Sequence, residues 1–320
     1  MLYNNYMREF SFENKALTIY CYAWEDVKNP IGVVQIVHDL GEYCARYDVL
    51  ARFLNANGFI VVGNDLRGFG KTCGGYDHRG EVYGDCLNDT IDDLAKLSEY
   101  SLSKYRLPLM YLGFGYGTVL AWHYTSKYGK NLAGCILSGA YYTVNLHTLL
   151  MSIIASTVIG FIQPTTPANF VNSIVYKKAA RPFEHEKRKY AYLTRDVEEI
   201  KRYVGDPFCG AQFVMSYEFQ KSYFNNSFWT TFVNKKFKEI PLDLPFLLLG
   251  GTEDSVAGFG RDVKKIYSKL IKTRHKYVYM NLYEKARHDL VDEINRDEVF
   301  TDIYLFLRKC LTAYGVGVKD

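Results

Sequence analysis

The stretch Leu109-Met-Tyr-Leu-Gly113-Phe-Gly115-Tyr-Gly117-Thr118 has the residue types of a tight turn between a strand and a helix. Three chemistries use such a turn. The first binds dinucleotide phosphates through G-x-G-x-x-G. Gly113 and Gly115 fit it, but the last position is Thr118, and Cys135 to Ala140 holds no acidic partner for a ribose. The second is a phosphate loop. Its only G-K-T is Gly70-Lys71-Thr72, and the glycine required five positions earlier is Asp65. The third is a nucleophile turn, G-x-S-x-G, whose outer glycines allow close packing while the central side chain attacks a carbonyl. Gly113 and Gly117 supply the outer pair, and the centre is Gly115, which has no nucleophilic atom. Taken alone, the stretch leaves its chemistry undecided.

Two later residues narrow it. After the apolar run Phe246–Gly250 comes Asp254, a carboxylate at a strand's end. After the last strand-like run comes His288, at the corresponding place. An order of nucleophile, acid and histidine is one that acyl transfer on such a sheet uses, and loops after adjacent strands then bring carboxylate and imidazole together. Each residue has a plainer reading, Asp254 as a helix cap before Val256 and His288 as a solvated loop histidine. The joint order and spacing favour the triad frame.

Further motifs make a resemblance specific. His38-Asp39-Leu40-Gly41-Glu42 is followed by Arg46-Tyr47, and the next strand ends in Asp65-Leu-Arg67-Gly68-Phe-Gly70-Lys-Thr72. With Asp254–Gly260, Ala286-Arg287-His288, Leu193–Asp196 and Asp206–Gly210, the whole chain resembles the α/β-hydrolase family, in particular its monoacylglycerol lipases and lysophospholipases (serine aminopeptidase-type hydrolases). The resemblance implies catalytic positions at Gly115, Asp254 and His288, and an oxyanion hole from the amides of Leu40 and Tyr116. Such amides receive the charge of a tetrahedral intermediate. Two positions depart from the pattern: Asp39 stands for a glycine, where it is expected to bend the loop and put a negative charge near where an oxyanion would form, and Phe114 stands for a histidine.

Glycine at 115 removes the hydroxyl that histidine would deprotonate. Loss of the nucleophile costs serine hydrolases on the order of 10⁶ in turnover. Ser138, Ser255 and Thr118 lie nearby but outside the turn, and read as structural. Two functions follow as expectations: a carboxylester-hydrolase relative that is inactive or severely impaired as written, or a non-catalytic protein that binds a lipid or small ester. A nucleotide-dependent enzyme is the third, weaker reading.

The elements that must position these residues are seven apolar runs: Leu17–Trp24, Gly32–Val37, Phe59–Asn64, Leu109–Gly113, Gly134–Ser138, Phe246–Gly250 and Tyr277–Tyr283. Helical spacing over Ala45–Ala56, Cys86–Lys104, Thr118–Lys127, Val256–Lys272 and Asp297–Leu311 alternates with them. The pattern predicts a doubly wound, mostly parallel α/β sheet, with Leu17–Trp24 as an antiparallel edge. The alternation stops over 140–241, which is aromatic, basic and broken by prolines. It is expected to be a helical cap inserted into a core of 1–139 and 242–320.

Composition excludes other classes. The net charge of +4 is too mild, and its basic run Arg181–Arg188 too broken by Glu184 and Glu186, for nucleic-acid binding. Seven scattered cysteines without C-x-x-C argue for reduced thiols and a cytoplasmic setting. The other histidines have no ligand spacing, so no metal or cofactor is expected. The partner is a small ester or lipid, and the 28 tyrosines and 20 phenylalanines hint at a greasy pocket. Leu149–Ile162 is too short to span a bilayer. It reads more plainly as cap core than as a surface for transient membrane contact.

Overall fold

A computed structural model describes residues 7–142, 146–159, 161–210, 214–232 and 235–313. Its eight strands are β1 (Arg8–Asn14), β2 (Leu17–Trp24), β3 (Gly32–Val37), β4 (Phe59–Asn64), β5 (Leu109–Phe114), β6 (Gly134–Ser138), β7 (Phe246–Gly251) and β8 (Val278–Tyr283). They form one sheet in the order β1-β2-β4-β3-β5-β6-β7-β8. The β1–β2 and β2–β4 pairings are antiparallel, and every pairing from β4 to β8 is parallel.

The helices of the core are α1 (Asp48–Ala56), α2 (Cys86–Tyr105), α3 (Tyr116–Tyr128), α9 (Arg261–Lys272) and α10 (Arg296–Ala313). Between β6 and β7 lie α4 (Leu146–Ile159), α5 (Asn169–Ala180), α6 (Val197–Gly205), α7 (Tyr217–Phe232) and α8 (Lys235–Glu239). Among the described residues, this segment's only β pairing is a single bridge between Pro167 and Ser216.

Strand alternation divides the core. Val33, Val37, Leu109 and Tyr111 point to the face covered by α2, α3 and α9, while Val34, Ile36, Met110 and Leu112 point to the face covered by α1 and α10. Strands β3 to β7 are buried along their whole length, which is why they read as unbroken apolar runs. Burying a leucine or isoleucine here is worth roughly 1.5–3 kcal/mol.

Two expectations need correction. β2 is antiparallel but not the edge, because β1 pairs with it from Arg8↔Ala23 to Asn14↔Leu17. β1 escaped notice because Arg-Glu-Phe-Ser-Phe-Glu-Asn alternates polar and apolar residues with only Asn14 buried. The helix expected from Val256 starts at Arg261 instead, since Gly258, Phe259 and Gly260 take left-handed backbone conformations that break a helix.

Candidate active site

Because β3, β5, β6, β7 and β8 are parallel, the loops after them share one edge of the sheet. Those loops carry Asp39, Gly115, Gly139, Asp254 and His288. The β5–α3 turn is built by close approach. A Cβ on Gly117 would lie 2.3 Å from the Val37 carbonyl oxygen, and one on Gly113 would lie 2.8 Å from the Gly117 backbone. Gly115 sits between them at φ +42° and ψ −104°, a conformation costly for other residues. Its N–H donates to the Ser138 carbonyl at 3.0 Å.

His288 is held between two carboxylates. Its Nδ1 donates to Asp254 Oδ2 at 2.9 Å, and its Nε2 donates to Asp39 Oδ2 at 3.1 Å. With an acceptor on each side, both ring nitrogens carry hydrogen and the ring is an imidazolium. Burial opposes that charge, but the two carboxylates outweigh it and raise His288 well above its ordinary 6.5. Asp254 is fully buried, and its other oxygen accepts the amides of Val256 at 2.9 Å and Ala257 at 3.0 Å. Asp254 therefore braces the turn before the helix rather than capping the helix itself, whose N-cap is Gly260, and it does so alongside its contact with His288.

The unexpected occupant is Asp39. Its Oδ1 accepts the Tyr116 amide at 2.5 Å, and the nearby Leu40 amide helps to hold the carboxylate ionised. Of the two amides assigned to an oxyanion hole, one is therefore bonded and the other faced by a side chain of the protein itself. A Cβ placed on Gly115 would lie 2.0 Å from Asp39 Cγ and 2.1 and 2.2 Å from its two oxygens. The Asp39 carboxylate thus fills the space that any side chain at 115 would need. Burial pushes the Asp39 carboxyl up, but His288 and the two amides win and hold it below its ordinary 3.8. Asp39 itself is not among the left-handed residues, while Gly41 two residues on is.

The Asp39 loop is rigidly set. His38 Nδ1 donates to the Asp39 carbonyl at 2.7 Å, and His38 Nε2 accepts the Leu66 amide at 3.0 Å. Burial keeps His38 neutral by lowering it to about 4. Glu42 accepts the Asp39 amide at 2.9 Å and the Tyr47 hydroxyl. Burial raises Glu42 to about 7 despite the nearby Arg46. Phe114 stacks on Tyr47 at 4.3 Å.

Of the three alternative hydroxyls, Thr118 donates to the Gly115 carbonyl at 2.6 Å and Ser255 to the Ala179 carbonyl at 2.7 Å. Ser138 is buried without a partner among the described residues. It lines a small cavity of about 20 Å³ beside Glu42, His288 and Asp289, which is room for one water. Neither Thr118 nor Ser255 is aimed at His288.

The segment between β6 and β7 roofs this edge. Tyr192 and Leu193 accept the backbone amides of His288 at 3.3 Å and Asp289 at 2.7 Å. Arg287 bonds Glu186 and the Ala191 carbonyl and lies 4.2 Å over the Phe183 ring. Beneath the roof is a cavity of about 210 Å³. Asp39 and His288 form its floor, and Tyr141, Tyr176, Tyr192, Tyr203, Tyr223, Phe224 and Met215 form its walls. Sequence reasoning named none of these aromatic residues, and the excess of tyrosine was their only signal. Among the described residues no group of three or more histidine, cysteine or acidic side chains could hold a metal ion. The seven cysteines are free thiols, and no described helix is long and apolar enough to cross a membrane.

Comparison with known proteins agrees with this architecture. Mouse monoglyceride lipase is 22% identical over 304 residues, covering 93% of this chain and 89% of that protein. A monkeypox virus monoglyceride lipase homolog is 25% identical over 291 residues, covering 88% of this chain and 89% of its own. Among solved structures, a carboxyl esterase from Bacillus coagulans superposes with a TM-score of 0.87 at 21% identity, over 96% of this chain and 100% of that one. A soluble variant of the monoglyceride lipase of Saccharomyces cerevisiae gives 0.76 at 19% identity, over 97% of each chain. The Hydrolase_4 family model, serine aminopeptidase S33, matches residues 28–295, and the chain belongs to that family of α/β-hydrolases.

Proposed function

We propose that this chain is a binding member of its family, one that holds a single-chain lipid or small ester in the aromatic cavity and forms no acyl-enzyme. The observation that carries the reading is the Asp39 carboxylate, bonded at once to the Tyr116 amide and His288 with the Leu40 amide close by. Acyl transfer needs a nucleophile beside the imidazole and two free donors for the oxyanion. Here Gly115 supplies no nucleophile. One donor is bonded and the other faces the same carboxylate, and the imidazole is charged and so cannot accept a proton. The positions Gly115, Asp254 and His288 are, on this reading, the frame of a triad, and 140–241 is a cap that shapes the cavity over the core.

The test pairs two measurements on the purified chain. Incubation with a monoacylglycerol is expected to give a one-to-one complex by native mass spectrometry. A fluorophosphonate probe is expected to leave the protein unlabelled. Stoichiometric labelling in the cleft, or ester turnover with a burst of product, overturns the proposal.

The same segment supports a transient contact with a membrane surface. Ile153, Phe161 and Phe170 stand more than half exposed on it, Phe161 at 87%, although scattered surface apolar residues are common.

A further inference from the structure

A site built to bind a tetrahedral oxyanion presents hydrogen-bond donors to its ligand. In this chain the polarity is reversed. The Tyr116 amide ends on Asp39 with the Leu40 amide close by, and what faces the cavity is the Asp39 carboxylate, with its side chain 19% exposed. An ionised carboxylate offers about four acceptor sites. The Tyr116 amide and the Nε2–H of His288 use two of them, and the Leu40 amide lies close to the carboxylate. What remains for a ligand can only accept.

The charges agree with this. His288 lies between Asp39 and Asp254, so one positive group faces two negative ones. Lys178 and Asp262, which also line the cavity, carry opposite charges. The floor is therefore net negative. The walls are faces and edges of Tyr141, Tyr176, Tyr192, Tyr223 and Phe224, and aromatic faces attract cations while accepting an alkyl chain.

We infer that the cavity selects a single-chain amphiphile by a hydrogen-bond-donating head, an ammonium or a hydroxyl, docked on Asp39, and rejects one that ends in a carboxylate. The inference rests on the cavity binding such a chain at all, as proposed above, and adds which end chemistry it takes. A fatty-acid carboxylate would meet Asp39 with no free amide to receive it. A head carrying N–H or O–H meets the vacant acceptor, and the charged one gains a charge-assisted bond.

The experiment titrates the full chain with decylamine, 1-decanol and decanoate at one pH and salt concentration, by calorimetry. Decylamine is expected to bind at least about tenfold more tightly than decanoate, the scale of one charge-assisted hydrogen bond, with 1-decanol between them. In Asp39→Gly the two amides are freed and His288 loses a counter-charge, so decanoate is expected to become the tightest. In Asp39→Asn, which keeps the size of the side chain, the preference for the amine is expected to vanish. Decanoate binding the unaltered chain as tightly as decylamine overturns the inference, as does an unchanged order in both variants. Failure of all three compounds to bind overturns the lipid-binding reading itself, and is a different result.

Discussion

Restoring a serine at the glycine turn is the sharpest test of the site, and Gly115→Ser alone is expected to fail. The new Cβ would stand 2.0–2.2 Å from the Asp39 carboxyl group, whereas real contacts of this kind stay beyond about 3 Å, so Asp39 must retreat by about 1 Å or more. That movement breaks its bonds to the Tyr116 amide and His288. Each charge-assisted bond is worth roughly 1.5–3 kcal/mol, partly regained where the displaced carboxylate meets water in the cavity. The left-handed backbone at 115 adds about 1 kcal/mol for a non-glycine residue. A net loss of about 4 kcal/mol follows. For a chain this long, about 2.1 cal/mol/K of unfolding entropy per residue makes that a fall in Tm of about 6 °C. The single variant is therefore expected to melt early and to stay unlabelled by a fluorophosphonate. Asp39→Gly combined with Gly115→Ser clears the carboxylate, frees both amides and leaves His288 able to act as a base. That double variant is expected to label to stoichiometry. A single variant that labels as fast as the double one, with Tm unchanged, refutes the occupancy of the site by Asp39. A double variant that never labels refutes the triad frame.

Three further outcomes are expected. The Asp39–His288 pair should stabilise the fold most between about pH 4 and pH 6.5. The raised His288 contributes fully below its ordinary value and loses that contribution as pH rises through its folded value. The lowered Asp39 contributes above its ordinary value and loses it as pH falls through its folded value. The Tm difference between the unaltered chain and Asp39→Asn should peak in that window, and a flat difference from pH 4 to 10 would contradict the pairing. Arg287→Ala should cost about 3 kcal/mol by removing its bonds to Glu186, which keeps Arg188, and to the Ala191 carbonyl, and amide exchange over Tyr190–Thr194 should quicken on the order of 10²-fold. Equal exchange in both proteins would show that the roof is held elsewhere. Phe161→Asp should reduce flotation with anionic vesicles severalfold, and unchanged flotation would remove the membrane contact.

The parts legible in the sequence are those with local physical signatures. β3 and β4 were read with their observed bounds because strands buried on both faces are unbroken apolar runs. The glycine turn was legible because close approach at Gly113 and Gly117 leaves no choice of residue. β1 was not, since an exposed strand keeps charged residues on its outer face. The charge of Asp39 was legible as lying near the oxyanion position, yet its bonds to Tyr116 and His288 could not be read. Asp39 lies 77 residues from Tyr116 and 249 from His288, and only the parallel sheet brings them together. The aromatic walls come from several separate stretches of chain, and no single stretch has a periodicity that announces a cavity.

The collision between Asp39 and position 115 also constrains history. An ancestor with any side chain at 115 could not have accepted this aspartate in this rotamer. The rotamer seen here became open only once glycine stood at 115. The reverse journey is equally directional: surrendering the acid first meets no steric obstacle, while regaining a hydroxyl first runs into it. A sister lineage with glycine at both positions would be the surviving halfway stage.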